Sequence, residues 1–256
     1  MKQRPTFPAR IDSSLSAAKT KAPLAVNLPQ GLGMDSMAVR QRMVQKLAGQ
    51  GLSDPRVLAA MGRVERHRFV DSALVNQAYE DTSLPIGLGQ TISKPGVVSR
   101  MIELLCQGKE GKLGRVLEIG TGCGYQAAVL SEIATEVYSI ERLRGLHEKA
   151  RENLRFFRLA TLHLLLGDGM LGYAQGAPYA AIIAAAGGDA LPTAWTDQLA
   201  MGGRLVAPVE QRAAGGARGA GGVAAQALVV VDKTSQGLHQ TILEAVHFVP
   251  LKSGLA

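Results

Sequence analysis

Cysteine and aromatic residues are scarce in this chain, and each scarcity argues against a class of protein. The 256 residues include two cysteines, Cys106 and Cys123, which excludes a disulfide scaffold and favours a reducing compartment. Aromatic residues make up 4% of the chain and are not interleaved with basic blocks, which argues against a nucleic-acid surface. No apolar run approaches the ~20 residues that span a bilayer, and no early segment suits secretion. We therefore expect a cytoplasmic protein with no nucleic-acid or membrane partner.

The net charge of +7 is concentrated at the beginning of the chain. Residues 1–33 contain five lysines and arginines against Asp12 alone, together with many proline, serine and alanine residues. This composition shows no sustained period and predicts a disordered basic extension. An organelle transit peptide is the alternative interpretation.

The spacing of apolar residues predicts an α/β fold. Helices are expected to begin at Asp35 and at Asp54-Pro55 and to cover 95–107, with a loop over 81–90. Apolar runs then alternate with helical stretches, which is typical of a parallel sheet. The predicted strands are 115–119, 137–140, 162–166, 180–185, 204–208, 226–231 and 241–249, and the later helices are 126–133, 144–155 and 193–201. A flexible Gly/Ala/Arg loop at 211–225 precedes the last two strands, which have no helix between them. We expect a doubly wound, mostly parallel, seven-stranded Rossmann-like sheet with an antiparallel C-terminal hairpin and an N-terminal helical segment.

The strand at 115–119 runs straight into the glycine-rich turn Gly-Thr-Gly-Cys-Gly at 120–124 and then into a helix. Glycines let the backbone turn tightly and approach a ligand at a helix N-terminus. Glu141 ends the next apolar run, where an acid can accept hydrogen bonds from both ribose hydroxyls. These features favour an adenosine derivative over a structural turn with no ligand. Tyr125 occupies the position where a dinucleotide site needs a small residue, so the G-x-G-x-G spacing favours S-adenosylmethionine.

Several segments resemble the protein-L-isoaspartate O-methyltransferase family. They are Ala-Tyr-Glu-Asp at 78–81, Leu-Pro-Ile-Gly-Leu-Gly-Gln-Thr-Ile-Ser at 84–93, the run 116–130, Tyr-Ser-Ile-Glu-Arg at 138–142, Gly-Asp-Gly at 167–169, and the segments 64–70 and 202–208. The most specific of them is Gly-Gln-Thr-Ile-Ser. The resemblance covers roughly 37–208 and leaves out the basic extension and the Gly/Ala/Arg loop.

The resemblance implies an S-adenosylmethionine-dependent protein carboxyl O-methyltransferase. Such an enzyme methylates the free α-carboxylate of L-isoaspartyl residues in age-damaged proteins, and the ester then closes to a succinimide that reopens partly to aspartate. The implied organisation is one methyltransferase domain over 34–256, which we expect to be a monomer. Its parts are N-terminal helices with a substrate loop (34–110), a cofactor-binding core (111–208), and the flexible loop with the C-terminal strands (209–256).

The predicted reaction needs no general base, because a carboxylate with a pKa near ~3.5 is already ionised at pH 7. The segment 184–188 reads Ala-Ala-Ala-Gly-Gly, without the polar or thiol residues that nucleic-acid methyltransferases use to position a poor nucleophile. The resemblance implies that Ser93 is the active-site serine, whose hydroxyl would donate to the substrate carboxylate. From local sequence alone, Ser93 also fits an N-cap for the helix that begins at Pro95.

The remaining predicted site residues would bind the cofactor, and no metal is expected. Glu141 is assigned to the ribose and Asp168 to the adenine amino group, while a solvated strand end and an Asx turn are their local alternatives. Thr91 and Ile92 would lie over the cofactor, although an ordinary loop fits them nearly as well. The full predicted set is Gly120, Thr121, Gly122, Tyr125, Glu141, Asp168, Gly169, Thr91 and Ile92. Cys123 is expected to be a small filler, and the histidines lack metal-ligand spacing.

Two further points concern substrate choice and cofactor affinity. Isoaspartate differs from aspartate by the place of one methylene, which a pocket resolves by only ~1–3 kcal/mol. We therefore expect an extended substrate peptide to pair near 84–93. Ala180 stands where the family usually has an aspartate, which could weaken cofactor binding. The alternatives are a methyltransferase with another substrate and a non-catalytic cofactor-binding relative.

Overall fold

The computed structural model describes residues 37–211 and 225–256. The predicted extension at 1–33 and nearly all of the predicted loop at 211–225 lie outside the described residues. Within the described ranges, no helix is long and apolar enough to cross a membrane.

Three helices form the N-terminal part of the described chain, as predicted, and Asp35, the predicted start of the first, lies outside the described residues. They are α1 (Met37–Gly49), α2 (Pro55–Arg63) and α3 (Pro95–Cys106). Asp54 is the N-cap of α2, because its side chain accepts hydrogen bonds from the backbone nitrogens of Arg56 and Val57. The Asp-Pro pair therefore starts the helix in the way that its sequence indicates.

The loop predicted over 81–90 is wrong, because this segment contains most of a β-hairpin. Strand β1 (Leu84–Gly87) pairs antiparallel with β2 (Gln90–Ile92). Leu88 at the tip has a φ of 52° and lies between two glycines with positive φ. The glycine-rich turn looked like a loop and concealed the alternation of buried and exposed residues in β1.

The main sheet has seven strands and the predicted topology. They are β3 (Leu113–Ile119), β4 (Ala134–Glu141), β5 (Leu162–Leu166), β6 (Tyr179–Ala184), β7 (Leu199–Glu210), β8 (Gln226–Thr234) and β9 (Gly237–Val246). Their order across the sheet is β5-β4-β3-β6-β7-β8-β9. The pairs from β5 to β7 are parallel, and β8 and β9 are antiparallel additions.

Three more helices connect the strands: α4 (Tyr125–Ile133), α5 (Arg144–Leu154) and α6 (Thr193–Gln198). The helix predicted over 193–201 is too long, because residues 199–201 belong to β7. Leu199 pairs with Tyr179 of β6 and is buried, so sheet pairing and burial outweigh helix propensity there.

Apolar residues on the two faces of the sheet form two separate clusters. Val116 packs in the cluster that includes α3, α4 and α5, whereas Leu117 packs with Trp195 of α6. The sheet is therefore covered by helices on both faces, as predicted. The chain moves outward from β3 in one direction to β4 and in the other to β6, which opens a crevice at the carboxyl ends of these strands.

Candidate active site

A cavity of about 280 Å³ lies at this crevice. It is bounded by the carboxyl ends of β3 and β4, the β1/β2 hairpin, and residues 249–252 near the C-terminus. The predicted site residues that line it are Thr91, Ile92, Ser93, Gly120, Thr121, Gly122, Tyr125, Glu141 and Gly169. Segments more than a hundred residues apart in the chain therefore meet in one place.

The loop that follows β3 depends on its glycines. Gly120, Gly122 and Gly124 have φ values of 89°, 57° and 94°, a region that residues with a Cβ rarely adopt. A Cβ at Gly124 would also lie 2.7 Å from Cδ1 of Leu154 on α5. The glycines therefore allow α4 to begin directly beside the cavity.

Glu141 is held at the end of β4 by backbone donors. Its Oε1 accepts hydrogen bonds from the backbone nitrogens of Arg142 (2.9 Å) and Leu143 (3.0 Å). Its Oε2 accepts one from Gly122 (2.9 Å). Because each carboxylate oxygen can accept two hydrogen bonds, Oε2 retains one free lone pair beside the cavity. A buried, oriented acceptor of this kind can take a hydrogen bond from a hydroxyl group.

A buried polar network behind the glycine loop was missed by the sequence analysis. The hydroxyls of Thr121 and Ser139 lie 2.6 Å apart, and Ser139 donates to Oε2 of Glu118. Glu118 is fully buried, and this burial raises the pKa of its carboxyl group to about 8. Its Oε1 has no hydrogen-bond partner among the described residues. An acid inside the apolar run of β3 was the signal that could have revealed this network.

Ser93 lies between β2 and α3, and its hydroxyl is available to a ligand in the cavity. The described part of the chain provides no hydrogen-bond partner for its Oγ, while its carbonyl oxygen accepts from Nη2 of Arg66 (2.8 Å). The N-cap alternative for Ser93 is wrong, because Lys94 precedes α3 and makes no side-chain cap. Asp81 satisfies the helix end instead, by accepting from the backbone nitrogen of Gly96 (2.6 Å).

Asp168 is the one predicted site residue that does not line the cavity. Its Oδ1 accepts from the backbone nitrogen of Met170 (2.9 Å), which is the Asx turn that the local sequence allowed. Its Oδ2 accepts from the backbone nitrogen of Gly254 (2.6 Å). The neighbouring Gly169 does line the cavity, and a Cβ there would lie 2.6 Å from Cγ2 of Ile119.

A segment near the C-terminus also contributes to the cavity and was not predicted. Residues 249–252 line it. The carbonyl oxygen of Val249 accepts from the backbone nitrogen of Gly187 (2.9 Å), and the nitrogen of Leu251 donates to the carbonyl of Gly187 (2.7 Å). This pairing joins residues about sixty positions apart, which no local pattern predicts.

Ala180 lies away from the cavity. It precedes Ala181, which pairs with Val116, whereas the strand end that faces the cavity is Ala184, which pairs with Ile119. Its Cβ lies 3.0 Å from the position that a Cβ would take on Gly114. The missing aspartate is therefore at the opposite end of the strand from the glycine loop.

Comparisons with known proteins agree with this geometry. Residues 38–256 match the family model of protein-L-isoaspartate(D-aspartate) O-methyltransferase. The chain is 53% identical over 268 residues to the protein-L-isoaspartate O-methyltransferase of Methylibium petroleiphilum, covering 98% of this chain and 96% of that protein.

Solved structures show the same fold. A protein-L-isoaspartate O-methyltransferase structure superposes with a TM-score of 0.73 at 27% identity, covering 84% of this chain and 67% of the other. A Plasmodium falciparum chain in complex with S-adenosyl-L-homocysteine has a TM-score of 0.69 at 22% identity, covering 83% and 98% respectively. The family match over 38–256 and the extent of the sequence identity decide the assignment. The chain therefore belongs to the protein-L-isoaspartate(D-aspartate) O-methyltransferase family.

Proposed function

We propose that this protein transfers the methyl group of S-adenosylmethionine to the free α-carboxylate of L-isoaspartyl residues in age-damaged proteins. The methyl ester then closes to a succinimide, which starts repair. The observation that carries the proposal is that the unpartnered hydroxyl of Ser93 and the free lone pair of Glu141 border the same cavity in a chain that belongs to this family.

The proposed cofactor contacts follow the cavity wall. Glu141 would accept from the ribose, and Gly120, Gly122 and Tyr125 would border the methionine and ribose part. Thr91 and Ile92 would lie over the cofactor, with Thr121 beneath it. Gly169 would border the adenine, and the contact of Asp168 with the adenine amino group stays a prediction. When bound, S-adenosylmethionine supplies the electrophilic methyl group.

The residues around the substrate would act by positioning. The α-carboxylate arrives ionised, so no side chain has to remove a proton. The hydroxyl of Ser93 donates to one carboxylate oxygen and orients the other, and such alignment can lower a barrier by about 7–11 kcal/mol. Burial raises the pKa of the Cys123 thiol to about 11 and that of the Tyr125 phenol to about 12. Both groups therefore stay protonated at pH 7 and do not compete as nucleophiles.

The β1/β2 hairpin provides a surface for the substrate backbone. It is a two-stranded sheet of its own, so β2 pairs with β1 on one side only. An extended peptide can add to the other edge through backbone hydrogen bonds. Such pairing would place the misplaced methylene of isoaspartate against Ser93 and would leave aspartate out of register. A peptide with N-methylated amides beside isoaspartate should therefore be a poorer substrate than its parent.

We also propose that the enzyme acts as a monomer in the cytoplasm. The compartment is supported by the two cysteines, which are both free and buried, as expected for a protein made in a reducing compartment. The monomer stays a prediction.

The test is methyl transfer from labelled S-adenosylmethionine to an isoaspartyl peptide and to its aspartyl twin. The expected result is a base-labile methyl ester on the isoaspartyl peptide alone. RNA and DNA added as competitors should not reduce the transfer. Folded protein that binds the cofactor but labels neither peptide would overturn the proposal and favour a non-catalytic relative, and inhibition by nucleic acid would favour another substrate.

A further inference from the structure

The guanidinium group of Arg66 is fully buried directly behind Ser93. Its Nη2 donates to the carbonyl oxygen of Ser93 and its Nε donates to that of Ala78, both at 2.8 Å. Its Cζ lies 4.7 Å from the ring centroid of Tyr125, which lines the cavity. One buried cation therefore contacts both the substrate side and the cofactor side of the cavity wall.

The charge of Arg66 has no ion-pair partner within the described parts of the chain. Buried charged groups are normally paired, because an isolated ion loses its hydration without compensation. Burial lowers the pKa of Arg66, and the negative charge of Asp81 offsets this only in part. The Asp81 carboxylate forms no direct ion pair with Arg66 and instead caps the backbone nitrogen of Gly96. The Nη1 atom of Arg66 has no hydrogen-bond partner at all among the described residues.

The other polar neighbours of Arg66 are neutral. The Cys123 thiol and the Tyr125 phenol both remain protonated at pH 7, since burial raises their pKa values. The attraction between the guanidinium and the Tyr125 ring stabilises the cation without neutralising it. The fold thus holds a positive charge against the backbone of Ser93, and within the described residues no carboxylate forms a direct ion pair with it.

We propose that Arg66 makes this site select an ionised carboxylate, with the isoaspartyl α-carboxylate adding a negative charge near a cation that has no direct ion-pair partner among the described residues. This inference rests on the proposed function. Arg66 acts through Ser93, whose carbonyl it holds, and through the field of its buried charge. Methyl transfer forms the bond between the carboxylate oxygen and the methyl carbon and breaks the bond between that carbon and sulfur. The ester is neutral, so this negative charge disappears and the product is held less tightly than the substrate.

The test compares the binding of two peptides that differ only in charge. One carries isoaspartate with its free α-carboxylate, and the other carries a neutral α-carboxamide at the same position. Both are labelled with a fluorophore and titrated by anisotropy against protein saturated with S-adenosyl-L-homocysteine, so no methyl transfer occurs. The quantity measured is the ratio of the two dissociation constants on the same protein sample, which partial loss of folded protein does not change.

Wild-type protein should bind the carboxylate at least about tenfold more tightly than the carboxamide, as expected for a charge pair at low effective dielectric. Arg66→Gln, which removes the charge, should bring this ratio close to one, and Arg66→Lys should retain most of it. Arg68→Gln is the matched control, because Arg68 is a neighbouring arginine that packs on Phe156 and pairs with Glu65 outside the cavity. Its ratio should equal that of wild type.

Two results would overturn the inference. One is a wild-type ratio below about two, which decides the matter even if Arg66→Gln does not fold. The other is a folded Arg66→Gln protein with an unchanged ratio, which would make Arg66 a purely structural donor. Failure of wild-type protein to methylate the isoaspartyl peptide would count against the proposed function instead, because the binding ratio is measured without transfer.

Discussion

The two walls of the cavity differ in burial and in hydrogen bonding. On the cofactor side, Glu141 is buried and three backbone donors hold its carboxylate. On the substrate side, the tip of the hairpin leaves Leu88 63% exposed, and the Ser93 hydroxyl has no partner in the described chain. The group predicted to bind the cofactor is therefore also part of the hydrogen bonding of the fold, whereas the group predicted to orient the substrate contributes little to the fold.

The same contrast appears in the buried charges behind each wall. Behind the cofactor wall, Glu118 accepts from Ser139 and its raised pKa keeps it protonated at neutral pH. Behind the substrate wall, Arg66 keeps its charge and holds the carbonyl oxygen of Ser93. The protonated Glu118 therefore adds no charge behind the proposed cofactor wall, whereas the cation of Arg66 suits a wall that receives a carboxylate.

The largest expected effect on the substrate side is that of Ser93→Ala. We expect kcat to fall about 100-fold, because removing a donor that orients the reacting group has effects of this size. The free energy of unfolding should change by less than about 0.5 kcal/mol, since the lost hydroxyl has no partner within the described residues. Methyl-transfer rates and denaturant unfolding measure the two quantities.

Ser131→Ala is the control for this change, because Ser131 donates only to Ala127 within α4, away from the cavity. It should leave kcat unchanged. If Ser93→Ala keeps its full rate, the serine has no part in the mechanism. If it loses several kcal/mol of stability, the two walls do not differ in their contribution to the fold.

On the cofactor side, Glu141→Gln should weaken binding and folding together. Glutamine keeps one acceptor oxygen but replaces the other with an NH2 donor, so it cannot accept all of the hydrogen bonds that Gly122, Arg142 and Leu143 now donate, and the charge is lost. We expect the affinity for S-adenosyl-L-homocysteine to fall about 10- to 100-fold, together with a measurable loss of thermal stability. Titration calorimetry and thermal denaturation test this prediction.

Glu136→Gln is the matched control on the same strand. Glu136 pairs with Arg115 and His163 outside the cavity. It should leave cofactor affinity unchanged. Equal losses of affinity in both variants would show that β4 is merely weakened as a strand, and that Glu141 has no special part in the cofactor wall.

The last prediction concerns the pH dependence of stability that Glu118 contributes. Burial raises its pKa in the folded state to about 8 from an ordinary value of 4.5. Between these values the folded state binds more protons than the unfolded state, so this group makes stability fall as pH rises. Its contribution to the free energy of unfolding is most favourable below about pH 4.5, decreases as the pH rises to about 8, and is constant above that pH.

Replacing Glu118 with glutamine should remove this component. We expect Glu118→Gln to lose less stability than wild type between pH 5 and pH 8, as measured by denaturant unfolding at several pH values. Identical pH dependence in the two proteins would mean that Glu118 is already ionised in the folded state. The cofactor wall would then hold an unpaired negative charge.

Local patterns predicted much of the fold. The alternation of apolar runs and helical stretches identified the seven strands of the sheet, and Asp54-Pro55 identified the start of α2. The glycine turn and Glu141 identified one wall of the cavity. These predictions succeeded because periodicity, capping and turn geometry act over a few residues, within reach of the sequence pattern.

Other features escaped local analysis. The sequence predicts a loop where the hairpin at 84–92 forms. It also predicts a helix over 193–201 that is too long, because the burial of Leu199 depends on its pairing with β6. Local sequence also predicts Ser93 as the N-cap of α3, but Asp81, from outside the helix, accepts the hydrogen bond at its N-terminus. In the last two cases a competing long-range contact decided which local tendency prevailed, whereas the glycine-rich turn concealed the hairpin.

The sequence by itself determined the parallel sheet, the adenosine-type loop and the family, because strand periodicity, glycine spacing and motif order are written along the chain. Only the tertiary structure placed Arg66 behind Ser93, Glu118 behind the glycine loop, and residues 249–252 across the cavity. The physical reason is that burial and charge compensation are properties of neighbours in space. The same arginine would be an ordinary solvated cation if the chain did not bring Ala78, Ser93 and Tyr125 around it.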